Sequence, residues 1–244
     1  MRKTDWVIAL TLMVPVAANA GLASTDGGLG VYDNVNNITW TSDANLFGTQ
    51  YANTGGAVVS TIINDWAGHT FADGHALTSA DFSAGATTWY GAQAWINYLN
   101  VTKYGGSNRW ALPTTVDAVA SSGYPSGSAA ASSQLAGLFY GNLGGSASPT
   151  GGFTGTLNGS AALFSNIRTS VYWSGTLSSG TSDPWYFDTN FGNQLSGLPP
   201  ASQQFFALAV SPGQVNAVPL PASAWLFLGG LAGLGAFGRR RRAT

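Results

Sequence analysis

The sequence predicts an α+β fold: one β-rich domain with one or two helices, joined by long Gly/Ser loops. Three observations predict it. Short β-branched or aromatic runs recur between clusters of Gly, Pro, Asn and Ser, the pattern of short strands. One stretch, Thr88 to Leu99, instead places apolar residues at helical spacing. The chain also holds 33 Gly and no Cys, so its loops are abundant and no disulfide can staple them.

The elements follow in chain order. Gly30 to Asp33 and Ile38 to Trp40 read as a hairpin, because Asn34 to Asn37 supplies turn residues between two β-prone runs. In the predicted helix Thr88 to Leu99, the residues Trp89, Ala92, Trp95, Ile96 and Leu99 form one apolar face. A second helix is expected over Thr114 to Ser121, with Thr114 as N-cap and Asp117 three residues on, an acidic variant of the capping box that also suits the helix dipole. From Ser122 to Ser160 the chain is mostly Gly, Ser and Ala, a long loop with one short packed element at Leu135, Leu138, Phe139 and Tyr140. Val171 to Trp173, Trp185 to Phe187 and Phe205 to Val210 read as strands. Trp110, Leu112 and Trp173 are expected in the core.

Both ends differ from this body. Arg2 and Lys3, an apolar run from Trp6 to Val16, and Ala18-Asn19-Ala20 have the order of a secretory signal peptide, so residues 1–20 are expected to be cleaved. At the other end, Val218-Pro219-Leu220-Pro221 breaks the chain, residues 222–238 are uncharged, and Arg239, Arg240, Arg241 and Arg242 follow. That order predicts a C-terminal transmembrane helix at the short end of what spans a bilayer, roughly 17–25 residues, with the arginines cytoplasmic. Residues 21–217 remain as one exported domain, long enough for a sizeable core. Gly233, Gly235 and Gly238 spell a dinucleotide-type glycine pattern, but without a strand before it the pattern carries no cofactor site.

The body's charge narrows the function classes. It holds nine Asp and no Glu against Lys103, Arg109 and Arg168, a formal balance of −6. A nucleic-acid or heparin surface needs a basic stripe, so neither ligand is expected. Catalysis is not expected either: there is no G-x-S-x-G elbow, and His69 and His75 are the sole imidazoles. Asp65, His69, Asp73, His75 and Asp81 crowd one polar stretch, but their spacing fits no H-E-x-x-H helix or EF-hand loop. The segment Asn64 to Gly85 therefore reads as a solvated loop, with no metal and no cofactor. Trp66, Trp89 and Trp185 are the tryptophans read as surface candidates. Trp185 with Asp183 and Asp188 forms a candidate glycan site, an aromatic face beside carboxylates that accept hydroxyl hydrogen bonds.

The Pro-Leu-Pro, apolar and arginine order resembles the PEP-CTERM sorting signal, with Leu220 where that family's namesake motif has Glu. The resemblance implies recognition by an exosortase, a membrane protease-transpeptidase that removes the tail, after passage through the secretion translocon and a transit stage anchored in the inner membrane.

The body resembles the DUF1566 or Lcl C-terminal domain over roughly residues 27–210. The motifs carrying this are Gly30 to Trp40, Ala92 to Leu99, Trp110-Ala111-Leu112-Pro113-Thr114, Tyr172-Trp173-Ser174-Gly175-Thr176, and Trp185-Tyr186-Phe187-Asp188 with Gly192 and Gln194. Ala111 and Ser211 stand where that family often has Arg. The resemblance implies a C-type-lectin-like fold and an adhesive role, although the acidic body does not suit sulfated glycans. The expected function is that of an exported bacterial surface or extracellular-matrix protein, structural or weakly glycan-binding in the exopolysaccharide of a biofilm. The alternative is a secreted hydrolase of matrix polymer.

Overall fold

The computed structural model describes residues 21–119, 122–126, 131–148, 150 and 159–215. The segments read from the sequence as a signal peptide and a sorting signal, including Val218 to Pro221 and Arg239 to Arg242, lie outside the described residues. Among the described residues no helix is long and apolar enough to cross a membrane.

Among the described residues the architecture is α+β, with two antiparallel sheets and four helices. The first sheet contains β1 (Leu22–Thr25), β2 (Gly30–Asp33), β3 (Ile38–Thr41) and β7 (Val210–Pro212), in the order β1-β2-β3-β7. The second is the meander β4 (Val171–Leu177), β5 (Pro184–Asp188) and β6 (Asn193–Leu195). The β2–β3 hairpin forms where the sequence places it, with Asp33 opposite Ile38. Its turn is built by Asp33, whose buried carboxylate accepts the N–H groups of Val35 and Asn36 at 2.9 and 3.0 Å, a side-chain turn of the Asx type.

Helix α3 (Trp89–Val101) confirms the predicted apolar face: Ala92, Trp95 and Leu99 are each 0% exposed. Thr88 caps it by accepting the Gly91 N–H. The Gly91 Cα lies so close to the preceding loop that a Cβ there would meet the Asp81 carbonyl at 2.6 Å. Two helices that the sequence reading does not assign pack beside α3. Helix α1 (Leu46–Asn53) is capped by Asn45 and ends before Gly55 and Gly56, both at positive φ. Helix α2 (Val58–Asp65) buries Val58, Val59 and Ile62. The Trp95 indole N–H, donated to Gln50 Oε1 at 2.8 Å, ties α3 to α1.

The expected helix over Thr114 to Ser121 does not form over residues 114–118. Residues 114–117 carry no regular secondary structure, because their polar groups find partners elsewhere: the Thr115 N–H goes to Thr176 Oγ1 at 3.0 Å, and Asp117 accepts the Ser179 N–H at 2.7 Å. Pro113 begins no helix either; its carbonyl accepts from Gly175 N–H and Ser174 Oγ. The packed element of the long loop is the short helix α4 (Gln134–Ala136), capped by Ser133, which loosens into a π-type turn over Gly137–Asn142. Leu135, Leu138 and Phe139 are buried, as expected, together with Ala136.

The core has two halves that meet along residues 205–212. One half packs α1, α2 and α3 against Trp110, Leu112 and Trp173. The other packs Val31, Ile38 and Trp40 against α4, Tyr172 and Phe187. Between them the chain alternates: Ala207 and Ala209 face the first half, Leu208 and Val210 the second, the two-residue period of extended backbone. The same segment pairs with Thr87 through Phe205, with β4 through Phe206, and with Ala111 and β3 through Val210. Trp110 and Trp173 are buried at 3% and 0% exposure, so both belong to the core.

Candidate functional site

The site assembles at the N-terminal end of α3. Helix α2 ends at Asp65, and the chain loops through residues 66–87 before Thr88 restarts it as α3. One buried carboxylate holds this loop. Asp81 is 3% exposed; one of its oxygens accepts the Thr88 hydroxyl at 2.7 Å and pairs with His75 Nε2 at 3.0 Å, and the other accepts the Thr78 N–H at 2.9 Å. Thr78 and Asp81 also form a capping box around the turn Ser79–Asp81.

Above that anchor the loop is zipped by rings. His75 stacks on Tyr90 with centroids 3.9 Å apart, Phe71 lies 4.6 Å from Tyr90, and Trp66 stacks on Phe71 at 4.7 Å. The Tyr90 hydroxyl donates to Asp73, whose other oxygen accepts the His75 N–H at 3.1 Å. These bonds, the Tyr90 one foremost, hold the Asp73 carboxyl below the usual carboxylate range. Burial first, then the bond to Asp73, pushes the Tyr90 phenol well above its ordinary value, so it stays a donor.

The result is an open cleft of about 600 Å³, inside the range typical of ligand sites. Trp66, Phe71 and Asp73 form one wall, Trp89, Tyr90 and Gln93 the floor on α3, and Leu177, Ser182 and Pro200 the opposite rim. Trp89 is fixed from behind, its indole N–H donated to the Ser174 carbonyl at 2.9 Å. Trp66 and Trp89, two of the three surface tryptophans read from the sequence, thus converge on one cleft although 23 positions separate them.

The third does not join them, and the expected Trp185 site is corrected. Trp185 is 3% exposed and donates its indole N–H to Asp117 Oδ1 at 3.0 Å, leaving too little ring surface for a sugar to stack. Asp183 and Asp188 flank opposite ends of β5, roughly 15 Å apart at strand rise. Asp188 is used in the β5–β6 turn, accepting the Asn190 N–H at 2.8 Å, while the Asp183 carbonyl accepts the Ser178 N–H. The three residues scaffold a hairpin.

The polar stretch holding both histidines is also more built than a solvated loop, since Asp81 and Phe82 are buried. Among the described residues no three His, Cys, Asp or Glu side chains gather where they could hold a metal ion. His75 lies against Tyr90 and Asp81, and His69 lies 4.9 Å from the Trp66 ring. A melting scan with millimolar calcium, zinc or chelator is expected to be flat, since a ligand binding the folded state would raise the midpoint. A reproducible shift with one metal, lost in His69→Ala or Asp73→Ala, would overturn this.

No family model, no curated protein and no solved structure matches this chain. The geometry of the cleft, together with the sequence, therefore carries the functional argument.

Proposed function

We propose that the protein is an exported, exosortase-processed component of the cell surface or extracellular matrix that holds polysaccharide in the cleft of Trp66, Phe71, Trp89 and Tyr90 without cleaving it. The single observation behind this reading is the convergence of four aromatic side chains with Asp73 and Gln93 on one open cleft. Aromatic rings bury the apolar faces of sugars, while the carboxylate and amide meet their hydroxyls. Asp73 is the one carboxylate among the residues lining the cleft, whereas glycoside hydrolysis uses two facing each other; this supports binding over cleavage. The signal-like N-terminus and the Pro-Leu-Pro, apolar and tetra-arginine C-terminus support export, membrane transit and exosortase sorting. The DUF1566-like, lectin-like reading of the body belongs to the same proposal. Its support is that two motifs carrying the resemblance dock on each other, Pro113 and Thr115 accepting from Ser174, Gly175 and Thr176.

Two measurements test the proposal. Intact mass of the protein from a host with active exosortase should show the tail missing; a protein still carrying Trp225 to Arg242 would leave an ordinary membrane anchor instead. Oligosaccharide titration should give saturable binding that Trp66→Ala and Trp89→Ala each weaken by about tenfold or more, roughly 1.4 kcal/mol, with no shortening of the oligomer. Shortened products, or affinity indifferent to both substitutions, would sink the binding reading.

A further inference from the structure

Resting on the reading of this cleft as a glycan site, we infer that it selects glycans carrying free, protonated amino groups over neutral and acidic ones. Charge is the first source of this preference. Asp73 is exposed on the cleft wall, and the protein supplies each of its oxygens with a donor, Tyr90 on one and the His75 N–H on the other. A carboxylate has about four lone-pair sites, so each oxygen retains acceptor capacity toward the cleft. The same two bonds keep the group ionised across the neutral range. None of the other residues lining the cleft is charged, and the body's cations, Lys103, Arg109 and Arg168, do not line it.

Asp73 also sits among aromatic rings. Phe71, two residues earlier, and Tyr90, its hydrogen-bond donor, lie within one ring contact of each other, and Trp66 stacks on Phe71. A cation within about 6 Å of such a ring is attracted by its negative face, and an ammonium group seated at Asp73 meets both that field and the carboxylate. A neutral hexose gains only the stacking and its hydroxyl hydrogen bonds. A uronate or sulfated sugar brings a like charge against Asp73 inside a body of formal charge −6. Hexosamine units lacking the N-acetyl group satisfy the cleft in full: a ring face for Trp89 and an ammonium for Asp73.

Titration of the purified full chain with four probes tests this at about pH 5.5, where amines are protonated and carboxylates largely ionised. The probes are a glucosamine oligomer, its N-acetylated counterpart, a uronate oligomer and an oligolysine peptide. The expected result is that the glucosamine oligomer binds about tenfold or more tightly than the N-acetylated one, and that the uronate does not bind. The preference should shrink with added salt. Asp73→Asn should weaken the glucosamine oligomer by much more than the N-acetylated one, so that the two affinities converge. Equal wild-type affinities, or a preference that survives Asp73→Asn, would overturn the inference while leaving glycan binding intact. So would oligolysine bound as tightly as the sugar, because the cleft would then read charge alone. If Asp73→Asn loses the N-acetylated oligomer too, the wild-type salt dependence decides: a preference unmoved by salt overturns the inference. Failure of every oligomer to bind would instead remove the glycan reading on which it rests.

Discussion

Replacing Trp173 with alanine is expected to remove about 3–5 kcal/mol of stability, the range for deleting a buried tryptophan. The residue is fully buried where the two core halves meet. Its ring lies 4.5 Å from Phe205 and 6.2 Å edge-on from Tyr186, and its indole N–H is donated to the Thr87 carbonyl at 2.8 Å. Alanine would leave a cavity and remove one of the two donors to the Thr87 carbonyl, which keeps only the Phe205 N–H at 2.9 Å, next to a Thr87 hydroxyl that already lacks a partner. A domain of this size holds about 5–15 kcal/mol in total, so the variant should unfold at much lower urea. Trp110→Ala should behave similarly, since its indole N–H is donated to the Tyr104 carbonyl from inside the same half. Near-neutral denaturation midpoints in both variants would contradict the core assignment.

Asp81→Ala should combine lost stability with a lost cleft. The side chain is buried and gathers Thr78, Thr88 and His75, and hydrogen bonds to charged groups are worth about 1.5–3 kcal/mol each. Substitution frees the Thr88 hydroxyl and one end of the 66–87 loop, so a loss of about 2–4 kcal/mol is expected. Because that loop carries Phe71 and Asp73, oligosaccharide binding should weaken even where the variant remains folded. Asp81→Asn retains one acceptor oxygen and should fall between. Full oligosaccharide affinity in a folded Asp81→Ala protein would show that the loop does not depend on this anchor.

The parts of the fold legible in the sequence are those whose signals are local. Asn34 to Asn37 mark the hairpin, and the spacing of Trp89, Trp95 and Leu99 marks α3, because turn chemistry and helical periodicity act within a few residues. Helix α2 was not legible: Val58, Val59, Ile62 and Ile63 are β-branched, and it is their packing against α3 that makes them helical. The capping pattern misled in one place and was overlooked in another. Thr114 and Asp117 have the right spacing, but Thr114 bonds Gln134 and Asp117 serves Ser179 and Trp185 across the chain, whereas Thr78 and Asp81 form a capping box within a stretch that reads as solvated. Trp185 looks surface-bound because Asp183 and Asp188 flank it, yet Trp185 and Phe187 share the strand face that is buried. For the cleft, the sequence offered Trp66 and Trp89 as separate candidates. Their convergence depends on how α2 packs on α3, which no local pattern encodes.

The segment 205–212 also governs how fast the chain can reach its native state. Its partners are distant in sequence: Val210 and Ser211 pair with Trp40 and Thr39, and just beyond the segment Thr39 accepts from Val215 and donates to Gly213 across separations of 176 and 174 residues, while Thr25 reaches Val215 across 190. Neither half of the core can close over its inner face before this segment arrives, and loops of that length must be closed before their contacts repay the entropy. Topologies dominated by such non-local pairing fold in milliseconds to seconds, where helical bundles take microseconds to milliseconds. The β2–β3 hairpin and the α2–α3 pair can form early, but they must wait as partly exposed apolar surfaces for the last stretch of the body to be delivered. Slow closure from a chain kept loose until its end emerges would suit the export proposed above, since a protein that folded early would jam in a narrow translocation channel.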